Sequence, residues 1–192
     1  MGIIIGLTGP TGAGKSSLSA VAARLGIKVI DCDRVARSTS ENKQMLNLLC
    51  AEFGEDIVKN GVLDRKALAA RAFSSPERTE KMNSIMLPFI CENIEKQITG
   101  ECVILYAPTL FESGLDKRCD KIIGVLADVQ TRRARIVERD GLSESEASVR
   151  LSAAKTDEFF VSRCDYIIYN NGSEADLYAE AEALLRQITE VN

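Results

Sequence analysis

Short apolar runs alternate with amphipathic stretches along this chain, which is the pattern of an α/β fold. Continuous apolar runs predict buried parallel strands at 3–8, 27–30, 102–106, 121–126 and 166–169. Helical spacing predicts helices from Ser16 to Leu25, from Asp128 onward and from Glu174 to Ile188. The sequence therefore predicts a parallel sheet of about five strands with helices packed against it.

One long region lacks this alternation. From about residue 42 to residue 99 the apolar positions recur at helical spacing, with no clear strand among them. Gly54, Gly61, Pro76 and Pro88 divide the region into shorter helices. Because it lies between strands of the core, we interpret residues 41–100 as an inserted helical subdomain that carries substrate specificity.

A second helical region follows the fourth strand. Asp128 is a predicted N-cap, and Ser143-Glu144-Ser145-Glu146 has the pattern of a capping box for a helix continuing to about Lys155. Gly141 separates the two helices. We interpret residues 131–159 as a lid, and residues 1–40, 101–130 and 160–192 as the core.

The first apolar run leads directly into the pattern G-x-x-x-x-G-K-S at Gly9–Ser16. Such a loop between a strand and a helix closes backbone N–H groups around a phosphate. Lys15 would reach the β- and γ-phosphates, and the Ser16 hydroxyl would bind Mg²⁺. The alternative is a glycine-rich turn with a solvated lysine, and the strand and helix context favours the phosphate loop. The predicted nucleotide-binding residues are Thr11, Gly12, Ala13, Gly14, Lys15, Ser16 and Ser17.

Two carboxylates follow the second predicted strand, at Asp31 and Asp33. In extended backbone residues two apart point the same way, and ligands bind beyond the carboxyl ends of such strands. One of them could accept a proton from an acceptor hydroxyl, and either could support Mg²⁺ through water beside Ser16. The alternative is that Asp33 caps a helix starting at Arg34 while Asp31 binds a turn.

Arginines are concentrated on the helix after Asp128. Arg132, Arg135 and Arg139 share one face by their spacing. Arg139, just before Asp140-Gly141, could close onto a transferring phosphate as an arginine finger does. The alternative is a solvated basic face in which Arg132 pairs with Asp128.

Composition narrows the class of protein. The chain of 192 residues has 24 Lys and Arg against 28 Asp and Glu, and its net charge of −4 argues against general binding of nucleic acid or anionic membrane. It has no histidine, and its six cysteines form no C-x-x-C pair, so zinc-type spacing is absent. No run reaches the ~18 apolar residues of a membrane span. We therefore expect a cytoplasmic protein with reduced thiols, with no membrane or nucleic-acid partner.

Other signature motifs separate the classes of protein that use a phosphate loop. A GTPase would have N-K-x-D, but here Asn42-Lys43 is followed by Gln44-Met45. Motor and transport ATPases usually have an apolar strand ending in Asp, whereas the strand at 103–105 leads to Tyr106. A kinase that acts on a small molecule remains the best interpretation.

Several motifs in order give the chain a resemblance to the dephospho-coenzyme A kinase family. They are G-L-T-G-x-x-G-x-G-K-S (6–16), V-I-D-x-D-x-x-A-R (29–37), F-G with G-x-L-D-R-x-x-L (53–68), A-P-T-L-F-E-S-G-L (107–115), R-D-G-L-S-E (139–144) and N-N-G-S (170–173). The resemblance implies transfer of the γ-phosphate of ATP, with Mg²⁺, to the ribose 3′-hydroxyl of dephospho-CoA. It also implies that Asp33 is the base, that Arg37 and Arg65 contact the substrate, and that Arg139 is a cation of the lid.

The chain departs from that family's pattern at three positions. Tyr106 stands where the family usually has Asp, Leu87 where it has His before Pro88, and Ala154 where it has Gln. The first change removes a carboxylate near Mg²⁺, and the others alter contacts in the insert and the lid. The alternatives are a related kinase with another acceptor and a sensor that binds ATP without transferring phosphate. We expect a monomer or a small homo-oligomer.

Overall fold

The computed structural model describes residues 2–190. The strands are β1 (Ile3–Thr8), β2 (Lys28–Asp31), β3 (Val58–Lys59), β4 (Val62–Leu63), β5 (Cys102–Tyr106), β6 (Lys121–Leu126) and β7 (Tyr166–Tyr169). The helices are α1 (Lys15–Arg24), α2 (Cys32–Thr39), α3 (Lys43–Phe53), α4 (Arg65–Ala72), α5 (Pro76–Glu95), α6 (Val129–Asp140), α7 (Glu144–Ser152), α8 (Asp157–Val161) and α9 (Glu174–Glu190). The chain forms two compact units: the first consists of the segments before residue 31 and after residue 98, and the second consists of residues 31–98.

The first unit contains a five-stranded sheet in the order β2-β5-β1-β6-β7. The central strand β1 is parallel to β5 and to β6, and β6 is parallel to β7. This confirms the α/β fold and the number of strands predicted from the apolar runs. The end of β1 at Thr8 lies in the middle of the sheet's carboxyl edge, where open α/β sheets bind their ligands.

The core of this unit joins the sheet to α1 and α9. Ile5 and Leu7 of β1 are fully buried with Leu18 of α1 and Leu185 of α9. Burying each such side chain contributes about 1.5–3 kcal/mol. The core therefore fixes the ends of β1 and α1, and with them the loop that joins the two elements.

Helices α6 and α7 begin at their predicted N-caps, and α6 ends at the predicted glycine. The Asp128 carboxylate accepts from Thr131 N at 2.8 Å, and Gly141 ends α6 in the left-handed region at φ 65°. Ser143 and Glu146 form the predicted capping box of α7. The prediction that this helix continues to about Lys155 is wrong, because α7 stops at Ser152 and the short α8 follows with Thr156 as its N-cap.

The second unit is mostly helical, with its own core. Met45, Leu49, Phe53, Ile57 and Leu68 are buried there. The expectation that this region has no strand is wrong, because β3 and β4 pair antiparallel. The two residues between these strands, Asn60 and Gly61, have φ values of 53° and 77°. An Asn-Gly pair with positive φ is the preferred two-residue hairpin turn, so the sequence did contain this signal.

Within residues 2–190 no helix combines the length and the apolar character needed to cross a membrane.

Candidate active site

The loop between β1 and α1 has a conformation that depends on glycine. Gly9, Gly12 and Gly14 have φ values of 137°, 79° and 99°, which L side chains rarely adopt. A Cβ atom on Gly12 would also lie 2.8 Å from the carbonyl oxygen of Arg132. The backbone of α6 therefore packs directly against the loop, and a larger residue at Gly12 would separate them.

Lys15, the first residue of α1, lies under this loop. It is only 7% exposed, and its Nζ donates to the carbonyl oxygens of Gly9 and Pro10 at 2.8 and 2.9 Å. Burying an ammonium group is costly unless it is hydrogen-bonded. The loop thus holds a positive charge at the N-terminus of α1, where the helix dipole also favours an anion.

A cavity of about 940 Å³ opens over the loop. Its walls include five cationic and three carboxylate side chains, so positive charge is in excess. The cations are Lys15, Arg135, Arg139, Arg150 and Lys155, and the carboxylates are Glu112, Glu138 and Glu174. All the residues that line this cavity belong to the first unit. A polyphosphate is the kind of ligand that such a cavity favours.

Most of the predicted nucleotide-binding residues line this cavity. Thr11, Gly12, Gly14, Ser16 and Ser17 are among its walls, as Lys15 is. The exception is Ala13, whose side chain is fully buried in the core. The Ala13 side chain therefore packs below the loop, and only the peptide group of Ala13 forms part of the loop.

Asp140 joins two of the cavity's arginines. Arg139 Nε and NH2 donate to the two carboxylate oxygens of Asp140 at 2.8 and 2.9 Å, and Arg150 NH1 donates to the same carboxylate. The hydrogen bond from Arg139 holds the pKa of Asp140 below its usual value, and Asp140 in turn raises the pKa of Arg139. The carboxylate therefore stays ionised at neutral pH and orients both guanidinium groups.

Arg132 differs from the other arginines of α6. It is 6% exposed, it is not among the residues that line the cavity, and its NH2 lies 3.7 Å from Oδ1 of Asp157. The suggested pairing of Arg132 with Asp128 is therefore wrong, because Asp128 caps α6 instead. The guanidinium reaches α8 through Asp157, and its Nε and NH1 are buried without a hydrogen-bond partner among the described residues.

Asp31 and Asp33 do not lie on one extended segment. Asp31 is the last residue of the strand and the N-cap of α2, where its Oδ1 accepts from Arg34 N at 2.9 Å. Asp33 lies in the first turn of that helix. The argument from extended backbone was therefore wrong, and so was the alternative in which Asp33 is the cap. Asp31 caps the helix, whereas Asp33 lines a cavity, so Asp33 is the better candidate for a chemical role.

Asp33, Arg37 and Arg65 line one cavity of about 330 Å³ in the second unit. The Arg65 NH2 donates to the Arg37 carbonyl oxygen at 3.2 Å and to Ser40 Oγ at 3.1 Å, which anchors the guanidinium at the end of α2. The remaining wall is largely apolar and includes Leu63, Leu68, Phe73, Met82 and Met86. The arrangement suits a ligand with both anionic and apolar parts.

The donor set near the loop suits Mg²⁺. Among residues 2–190 no three His, Cys, Asp or Glu side chains cluster as a metal site. Mg²⁺ needs no such cluster, because it is held by one or two protein oxygens together with phosphate oxygens and water. The Ser16 hydroxyl and the Glu112 carboxylate are hard oxygen donors in the same cavity, which Tyr106 also lines. These groups fit a magnesium ion bound with a nucleotide.

One residue of the site, Asn170, is part of the N-N-G-S motif but had no predicted role. Asn170 follows β7, is 5% exposed, and donates from Nδ2 to the carbonyl oxygen of Ala13 at 2.9 Å. Its Oδ1 accepts from Arg135 NH2 at 3.4 Å. Its position directly after β7 could have indicated this contact, because β7 ends at the same edge of the sheet as the phosphate loop.

The sheet order, the glycine loop at its central strand and the cationic cavity define a P-loop kinase. The sequence model of the dephospho-CoA kinase family matches residues 3–176. The chain therefore belongs to the dephospho-CoA kinase family.

Individual relatives agree with this assignment. A dephospho-CoA kinase of Fusobacterium nucleatum is 36% identical over 190 residues, which cover 97% of this chain and 98% of that protein. Among solved structures, TT1252 from Thermus thermophilus is 34% identical with a TM-score of 0.78, and covers 98% of each chain. The dephospho-CoA kinase from Campylobacter jejuni is 27% identical with a TM-score of 0.68 over the whole of both chains.

Proposed function

We propose that this protein transfers the γ-phosphate of ATP to the ribose 3′-hydroxyl of dephospho-CoA, which gives CoA and ADP. The observation that carries the proposal is the buried Lys15 ammonium beneath a glycine loop that opens into a cationic cavity. Membership of the family supplies the acceptor.

The nucleotide half of the reaction is assigned to the loop. Its backbone N–H groups and Lys15 bind the β- and γ-phosphates of ATP, which orients the terminal phosphorus for attack. The excess of positive charge in the cavity stabilises the four negative charges of ATP. Positioning and charge stabilisation are the main contributions a protein makes to phosphoryl transfer.

Mg²⁺ is the proposed metal. Ser16 would hold it, with the Glu112 carboxylate of the same cavity acting directly or through water. The ion would neutralise charge on the β- and γ-phosphates. Tyr106 stands in place of one expected carboxylate, and of the three carboxylates that line the cavity Glu112 is the nearest to Tyr106 in sequence.

The acceptor half is assigned to the cavity of the second unit. Arg37 and Arg65 would bind anionic groups of dephospho-CoA, and the apolar wall would pack against its uncharged parts. The Asp33 carboxylate would orient the 3′-hydroxyl and take its proton as the oxygen attacks the γ-phosphorus. The bond from that phosphorus to the β-phosphate oxygen breaks, and ADP leaves.

Arg139 is the proposed cation of the transition state. It lines the cavity, and Asp140 holds its guanidinium in place. Charge spreads over the equatorial oxygens during transfer, and a planar guanidinium binds two of them well. The lid assignment of residues 131–159, the cytoplasmic location and the oligomeric state stay predictions.

A coupled assay of ADP release tests the proposal. With Mg²⁺ and ATP, we expect ADP release that depends on dephospho-CoA and that Lys15→Met abolishes. ADP release with another alcohol acceptor but not with dephospho-CoA would identify a different kinase. Tight ATP binding with no acceptor-dependent release would identify a sensor.

A further inference from the structure

The geometry points to Asn170 as a positioning residue for the phosphate loop, and this inference rests on the proposed function. We propose that its carboxamide fixes the peptide between Ala13 and Gly14 so that the Gly14 N–H faces the bound phosphates. The nucleotide is thereby bound through a residue that lies 157 positions from the loop in sequence.

The carboxamide of Asn170 has one consistent orientation. Its Nδ2 donates to the Ala13 carbonyl at 2.9 Å, and its Oδ1 faces Arg135 NH2 at 3.4 Å. Turning the amide over would oppose two acceptors at Ala13 and two donors at Arg135. The pattern of partners therefore assigns the donor to the loop.

The main chain of Asn170 is held as firmly as its side chain. Its N–H donates to the Leu126 carbonyl oxygen at 2.7 Å, at the carboxyl ends of β6 and β7. Because the residue is also 5% exposed, its side chain has little freedom to leave Ala13. The sheet thus serves as a rigid support for the loop.

Fixing the Ala13 carbonyl also fixes the next N–H group. No cis peptide bond occurs in residues 2–190, and in a trans peptide the C=O and N–H point in opposite directions. With the carbonyl directed to Asn170, the Gly14 N–H is directed away from it. Gly14 is a wall residue of the nucleotide cavity and has a φ of 99°, so its peptide would otherwise be free to turn.

Arg135 reinforces this arrangement. Its NH1 lies 3.5 Å from the carbonyl oxygens of both Gly12 and Ala13. These distances are at the outer limit of a hydrogen bond, whereas the amide contact of Asn170 is well within it. Asn170 is therefore the residue whose loss is expected to release the peptide.

The decisive variant is Asn170→Asp. It keeps the volume and the partner at Arg135, but replaces the donor with an oxygen that repels the Ala13 carbonyl. We expect about a 10-fold loss of affinity for ADP and for Mg-ATP by calorimetry, the size expected from leaving one buried carbonyl unpaired. Affinity for adenosine, which has no phosphate, is expected to stay within about twofold of the parent. Asn170→Ala removes the same donor without adding a negative charge near the phosphates, and it is expected to give a similar pattern. Normal ADP affinity in Asn170→Ala would assign the loss in Asn170→Asp to charge repulsion and would overturn the inference.

The neighbouring Asn171→Ala is the matched control. The Asn171 side chain is exposed and accepts from the Asp128 N–H at 2.8 Å, away from the loop. We expect the control to bind ADP as the parent does. Melting curves of all variants show whether they are folded, and Asn170→Asp is the variant least disturbed in packing.

Three further outcomes would overturn the inference. The first is unchanged ADP affinity in a folded Asn170→Asp variant. The second is an equal loss of affinity for adenosine, which would mean that Asn170 contacts the nucleoside directly. The third is an equal loss of ADP affinity in Asn171→Ala. Binding of ADP needs no acceptor, so these results remain informative if dephospho-CoA is not the substrate. A parent chain that binds ADP but does not phosphorylate dephospho-CoA would refute only the proposed function.

Discussion

Arg139→Ala tests whether the arginines of the cavity act in catalysis. The side chain of Arg139 is 60% exposed and makes a two-point contact with Asp140. Its removal deletes a cation from the wall of the nucleotide cavity while burying nothing new. Asp140 keeps a second partner in Arg150, so the carboxylate is not left alone.

From the structure we expect Arg139→Ala to have a small effect on stability and a large effect on kcat. An exposed ion pair contributes about 1 kcal/mol or less, and in a chain of this length that corresponds to a fall in Tm of about 2–4 °C or less. A cation that acts mainly in the transition state has a larger effect on kcat. We expect a 10- to 10³-fold loss, or about 1.4–4 kcal/mol, because Arg135 and Arg150 remain nearby to compensate in part.

The assay is steady-state ADP release at varied ATP, with ADP affinity measured separately. A transition-state role predicts a large fall in kcat with ADP affinity changed about threefold or less. The matched control is Arg133→Ala on the same helix. Arg133 is not one of the cavity's wall residues, and its NH2 donates to the side chain of Gln130. Arg132 is unsuitable as a control because it is buried.

Two results would refute this reasoning. An Arg139→Ala variant with normal kcat would remove Arg139 from the site. Equal losses in the Arg139 and Arg133 variants would show that α6 acts only as a diffuse basic face.

Three further predictions concern single groups. Lys15→Met should lower turnover at least 100-fold, and turnover within about twofold of the parent would reject the phosphate-loop assignment. Asp33→Asn should lower turnover about 100-fold while ATP still binds; loss of ATP binding instead would assign Asp33 to the metal. Because Asp140 has a lowered pKa in the folded chain, its contribution to stability is present above pH ~4 and is lost as the pH falls through that lowered pKa. Asp140→Asn should therefore melt below the parent at pH 6 and with it near pH 2, and an equal gap at both would contradict the ionised pair.

Local features of the fold could be predicted from sequence because their causes are local. Apolar runs gave the five strands of the sheet, and the capping box at Ser143 and the glycine at 141 gave the ends of two helices. The loop at Gly9–Ser16 is recognisable because glycine, lysine and serine each have a chemical function at a fixed spacing. The hairpin at Asn60-Gly61 was also visible in principle, but two-residue strands are too short to show a period.

Only the tertiary structure determines the interaction partners of individual side chains. Arg132 has Asp128 four residues away on its own helix, yet its side chain turns to Asp157 of another helix. Asp31 rather than Asp33 caps α2, because the helix begins at Cys32, two residues before the start at Arg34 that a cap at Asp33 would require. Asn170 contacts Ala13 because two distant strands end at one edge of the sheet. Sequence periodicity determines which face of an element is buried. Packing between elements determines which side chains contact each other, and the candidate site depends on those contacts.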